Sequence, residues 1–97
     1  EYGISTYWMY HLLFKNLKIK TVEKLRQYLK SVGIETREGF VPFNLQKNLN
    51  IQKKIYSSCP MASKLNGKSF YIPTFIGIKK IEQEYIVEKI SKKLKLI

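Results

Sequence analysis

A small α+β domain follows from three features of this 97-residue sequence. Segments of strand length alternate with helical ones, in the order strand, helix, strand, loop, short helix, short strand, helix. Three short strands need a cover, so the expected architecture is a roughly three-stranded sheet, antiparallel or mixed, with helices mainly on one face. The apolar share (44%) and aromatic share (13%) are those of a folded globule. A chain this long makes one domain, residues 1–97, burying roughly 60–70% of its unfolded surface. The uncovered sheet face is then expected to be partly aromatic, the mark of a docking surface.

The first strand is expected within TYWMYHLLF, residues 6–14, a run rich in aromatic and bulky residues. Both alternating sets are largely apolar, which predicts cover on both faces or a second face docked elsewhere. His11, the single histidine, could serve as a base, but a packed, hydrogen-bonded ring is the expectation. Thr21 is the expected N-cap of a helix through Val32, with Glu23 in its first turn. Val22, Leu25, Leu29 and Val32 share one face at spacings of 3, 4 and 3, with Tyr28 at the edge and Lys24, Arg26 and Lys30 elsewhere. Gly33 then stands at the usual C′ position.

Gly33 to Gln46, GIETREGFVPFNLQ, reads as a short extended piece over 34–37, a turn at Gly39 and an aromatic-proline loop. Arg37 is one of only two arginines against sixteen lysines. A planar five-donor cation at a strand end, followed by a Gly/Pro-shaped loop, suits bidentate grip of a carboxylate or phosphate. The alternative is a surface role: capping a carbonyl, or pairing with Glu35 or Glu38. Residues 47–57 show no clean period and read as loop. Ser58 or Cys59 is expected to cap a short helix starting at Pro60, with Met61, Ala62 and Leu65 inward and Gly67 at its end. Cys59 lacks a neighbouring base in sequence and reads as a buried thiol. SFYI, residues 69–72, is a short strand stopped by Pro73. From about Lys79 the pattern is helical, with Ile86, Ile90, Leu94 and Ile97 on one stripe and Ile81 and Tyr85 on a second. Lys89, Lys92, Lys93 and Lys95 suit the dipole at its C-terminal end.

Composition excludes several classes. One cysteine rules out an internal disulfide and fits a reducing compartment. One His, one Cys and no Asp leave too few ligands for a zinc site, so no metal is expected. No apolar run approaches membrane-spanning length, and no secretory signal pattern is seen. The start at Glu1 instead of Met reads as a trimmed or partial chain. A net charge of +11 admits nucleic acid or another polyanion as partner. The lysines are spread from Lys15 to Lys95 without forming a block, so nucleic-acid binding is the lesser expectation.

Four pieces, in order and over nearly the whole chain, carry a further resemblance. Tyr7-Trp8-Met9-Tyr10, Gly33-Ile34-Glu35-Thr36-Arg37, Cys59-Pro60-Met61-Ala62, and Ile81-Glu82-Gln83 with Tyr85-Ile86 resemble motifs of the C-terminal small domain of the DegT/DnrJ/StrS family, the pyridoxal-phosphate-dependent sugar aminotransferases of fold type I. Two departures stand out. The family pattern F-x-P-x-H after the arginine has Asn44 where His is common, and Ser63 stands where Glu commonly follows CP-x-A.

The resemblance implies a C-terminal domain whose parent moves an amino group from glutamate to a keto-sugar nucleotide, for cell-surface polysaccharide or related sugar biosynthesis. Pyridoxal phosphate (PLP) and its Schiff-base lysine would belong to the parent's large domain. The expectation for this chain alone is no catalytic residue and no cofactor. Its role would be to pack on that large domain and close one wall of the substrate cleft, with Arg37, Phe40 and Asn44 as candidate substrate contacts. Tyr7, Trp8 and Tyr10 would form core or inter-domain seam. The parent is expected to be a cytoplasmic homodimer. The rival readings are a small basic module binding nucleic acid or another polyanion, and a stand-alone interaction domain that self-associates through its strand face.

Overall fold

The computed structural model describes residues 2–47 and 59–97. Its elements are β1 (Tyr10–Leu13), α1 (Ile19–Ser31), β2 (Arg37–Glu38), a 3-10 turn (Phe43–Leu45), α2 (Pro60–Leu65), β3 (Ser69–Ile72) and α3 (Lys80–Lys95). The last strand lies in the middle: the sheet order is β1-β3-β2, antiparallel on both sides. This is the small α+β arrangement expected, three strands in an open sheet with three helices. The loop expected over 47–57 (beyond residue 47) and the cap at Ser58 fall outside the described residues.

Register divides the sheet into two faces. Leu12 pairs with Phe70, and Glu38 pairs with Phe70 from the other side. Directly opposed residues share a face, so these three look toward the helices. Phe70 is fully buried there among Val22, Leu25 and Leu29 of α1, Ile34, and Ile86 and Ile90 of α3. Phe14 packs on it with ring centroids 5.1 Å apart. Burial of a side chain this size is worth about 1.5–3 kcal/mol.

The end of α1 is a Schellman motif. Ile34 N–H donates to Leu29 O at 2.9 Å and Gly33 N–H to Lys30 O at 3.1 Å, the 6→1 and 5→2 bonds of that motif. Gly33 sits at φ +82°, a conformation glycine adopts freely. Leu29 and Ile34, joined by the longer bond, are both buried in the core. The start of α1 corrects the expectation. Thr21 and Val22 both donate to Lys18 O, so Lys18 is the N-cap, Thr21 is the third helical residue, and no acidic side chain lies in the first turn. The extra residues carry Ile19 onto Gly67, where a Cβ would stand 3.2 Å from Ile19 Cγ2. That packing extends the helix where capping chemistry does not.

Arg26 fastens α1 to β2. Its Nε donates to Thr36 Oγ1 (3.1 Å), one Nη to Glu38 Oε1 (2.8 Å) and the other to Thr36 O (3.4 Å). At α3, Glu82 accepts from the Lys79 N–H at 2.7 Å; a lysine ammonium has no acceptor to return the bond.

Several inward assignments fail. Met61 and Ala62 are exposed in α2, a six-residue helix with no buried residue. Ile97 is exposed at the end of its stripe, and Ile81 is 71% exposed on the second side, where the Tyr85 hydroxyl donates to Val32 O just past the end of α1. Tyr7, Trp8 and Tyr10 are exposed as well, so they are not core. The strand pairs only over Tyr10–Leu13, and among the described residues nothing buries residues 7, 8 and 10.

Candidate functional site

Among the described residues nothing covers the other sheet face, which is built in one row. Arg37 of β2 pairs with Tyr71 of β3, which pairs with His11 of β1. The His11 and Tyr71 rings stack at 4.5 Å with 25° between planes. Phe40, just past β2, meets Tyr71 edge-on at 5.6 Å. Four side chains from three strands and one loop thus form a cation beside an aromatic platform.

Strand alternation decides which charge is available. Ile34, Thr36 and Glu38 alternate toward the helices, and Arg26 takes both Thr36 and Glu38. Arg37 points the opposite way. Among the described residues its guanidinium has no carboxylate or hydrogen-bond acceptor, so the surface pairing with Glu35 or Glu38 does not form; Arg26 occupies Glu38 instead. A guanidinium without an internal acceptor on an open face retains all five donors for a ligand.

Gly39 brings the end of β2 close to the central strand. Its N–H donates to Ser69 O at 3.2 Å. A Cβ placed there would overlap Ser69 Oγ and lie 3.3 Å from His11 Nε2. The imidazole of β1 therefore spans β3 and ends beside the β2 loop.

The three candidate contacts do not lie together. Arg37 and Phe40 are exposed on the open face, while Asn44 is 1% exposed and donates through Nδ2 to Ser63 Oγ at 2.8 Å. Asn44 holds the 3-10 turn against α2. Sequence reasoning passed over Tyr71 and discounted His11; the available signal was period-2 alternation, since a buried Phe70 obliges its neighbour Tyr71 to face outward.

A second feature lies on the helix side, away from Arg37. An open apolar groove of about 850 Å³ runs between residues 7–10, the 73–78 loop and α3. Tyr7, Trp8, Tyr10, Phe75, Val87 and Ile90 line it, and no charged residue among those described does. Tyr7 takes a positive φ of 53° at its mouth, uncommon for a residue with a Cβ. Apolar walls without a cation suit packing by protein better than capture of a charged substrate.

Among the described residues no cluster of three or more His, Cys, Asp or Glu could hold a metal ion. None of the helices described is long and apolar enough to cross a membrane. Glu88 and Lys92 form an ion pair on the exposed side of α3. A hydrogen bond and opposite charge, 2.6 Å apart, lower Glu88 and raise Lys92.

The sequence profile of the DegT/DnrJ/EryC1/StrS aminotransferase family matches residues 3–91. The chain belongs to this family. Neither the curated proteins nor the solved structures gave a match. Membership raises the question of PLP. A covalently held PLP does not fit the described residues: no lysine lines the apolar groove or a smaller hollow between Gly33 and Tyr85. The open-face row of His11, Tyr71 and Arg37 has none either.

Proposed function

We propose that this chain is the C-terminal small domain of a PLP-dependent aminotransferase that passes the amino group of glutamate to a keto-sugar nucleotide. On this reading its open sheet face forms one wall of the substrate cleft. The observation that carries the reading is Arg37, an exposed guanidinium with no acceptor among the described residues, paired across the sheet with Tyr71, which Phe40 meets edge-on, in a chain of an aminotransferase family. Such a group serves positioning and electrostatics, the protein's share in a cofactor enzyme. The Schiff-base lysine and the cofactor cradle belong to the large domain, which also covers the groove at Tyr7, Trp8 and Tyr10. Asn44 supports the wall from behind. The parent acts as a cytoplasmic homodimer.

The test uses the native-length polypeptide, first sized in its source cells with an antibody to this domain. A band several times larger than 11.5 kDa supports the reading. Arg37→Ala in that protein should lower kcat/KM for an anionic substrate by about 10- to 100-fold, the effect of losing a hydrogen bond to a charged group. An unchanged kcat/KM rejects Arg37 as a wall residue. A native band of this chain's size, with steeply salt-dependent binding to RNA or DNA, would instead favour the basic-module reading suggested by the +11 charge.

A further inference from the structure

The open face contains a second donor that the cleft-wall reading does not use. His11 is exposed, and its ring is fixed by stacking on Tyr71. The close approach at Gly39 shows where the ring ends: Nε2 lies beside the strand that carries Arg37. Residues 37 and 39 share a face and stand about 6.6 Å apart along an extended chain. An arginine side chain reaches across that gap, so guanidinium and imidazole can bracket one small group. Ser69 Oγ lies at the same spot, against Gly39. Among the described residues neither His11 nor Arg37 has a side-chain hydrogen-bond partner, and Glu38, the adjacent carboxylate, is turned away and bound by Arg26. Tyr71 and Phe40 wall the spot with rings at 5.6 Å. Two nitrogen donors, one of them permanently cationic, thus share this face; Glu35 alternates onto it as well, but among the described residues it forms no ion pair with Arg37.

We propose that His11 and Arg37 form a site for an oxyanion, a phosphate or a carboxylate, on the open sheet face, with Tyr71 as the positioning residue that holds the imidazole. Arg37 supplies the planar fork and most of the charge attraction. His11 donates from the side through Nε2, and Gly39 keeps the approach clear. Its catalytic meaning rests on the cleft-wall reading; the binding itself does not.

The experiment is an NMR titration of the 97-residue chain with sodium phosphate and, separately, sodium glutarate, at constant ionic strength held by chloride. The expected result is saturable change at the Arg37 Nε–H and the His11 ring, with the tighter ligand telling phosphate from carboxylate. Arg37→Gln should weaken binding at least 10-fold and His11→Asn about 3- to 10-fold. Tyr71→Ala should match His11→Asn, whereas Tyr71→Phe, which keeps the stacked ring, should bind as the parent does. Should Arg37→Gln disturb the fold, Arg37→Lys keeps the charge, removes the fork and should still lose several-fold. Failure of both anions to bind, or changes spread over the lysines and untouched by these variants, overturns the site. Oxyanion binding through these residues in a protein whose native-length form lacks transaminase activity keeps the site and rejects the catalytic reading. Damage to turnover from Arg37→Ala with oxyanion binding indifferent to His11→Asn does the reverse.

Discussion

Asn44 Nδ2 donates to Ser63 Oγ at 2.8 Å, joining the 3-10 turn to α2 across 19 positions of sequence. These are the two positions at which the chain departs from the family pattern resembled, Asn for His and Ser for Glu. The structure makes the two departures one change, since each residue is the other's partner.

The two positions should therefore be energetically coupled. Asn44→Ala and Ser63→Ala should each destabilise the chain, Asn44→Ala by about 1–3 kcal/mol because a buried polar partner is lost. The double variant should cost less than the sum, with a coupling of about 0.5–1.5 kcal/mol in urea unfolding. Strict additivity would show that the bond contributes nothing.

Gly33→Ala places a Cβ in open space, so sterics with neighbours do not oppose it. The φ of +82° does. A loss of about 1 kcal/mol is expected, or roughly 4–8 °C in Tm for a chain of this size. Gly33→Asn should lose less, because asparagine tolerates the left-handed region better.

Gly39→Ala meets Ser69 Oγ directly. Overpacking of about 1–3 kcal/mol should follow. Combining it with Ser69→Ala should recover most of that, while the His11 ring signals stay shifted because Nε2 is the next nearest atom. Full recovery of those signals would mean that Gly39 does not set the position of the imidazole.

Acid should loosen the exposed side of α3. Glu88 is held below the usual carboxylate range by its bond to Lys92 and by that residue's charge. Its contribution is present above the unfolded-state pKa and fades as pH falls through the lowered folded value. Lys92, raised by the same bond, contributes below its unfolded pKa and loses that contribution as pH climbs through the folded one. Lys92→Met should flatten both limbs of a helicity–pH curve followed at 222 nm, and unchanged limbs would exclude the pair as their source.

Sequence carried the element order and most of the helix chemistry. The C-terminus of α1 was legible because Gly33, Leu29 and Ile34 encode the Schellman motif locally. β3 was legible because Pro73 cannot continue a ladder. The start of α1 was not, because Ile19 enters the helix by touching Gly67, a contact between residues far apart in sequence. Arg26 reads only as lying off the apolar face; its role depends on Thr36 and Glu38 arriving beside it. At the candidate site, the importance of Arg37 could be read from residue type, but its row with Tyr71 and His11 required the register. Tyr7, Trp8 and Tyr10 look like core by hydrophobicity, yet among the described residues no element covers them.

The position of β3 at the centre of the sheet has a consequence for synthesis. The two outer strands do not pair with one another, so neither has a partner until residues 69–72 have left the ribosome. A nascent chain halted before that point displays two short unpaired edges and the apolar stripe of α1, the species most prone to associate with its neighbours. Sheet closure must then bridge more than half the chain at β1, a long loop that slows folding relative to local pairing. The last strand made is the one the other two wait for.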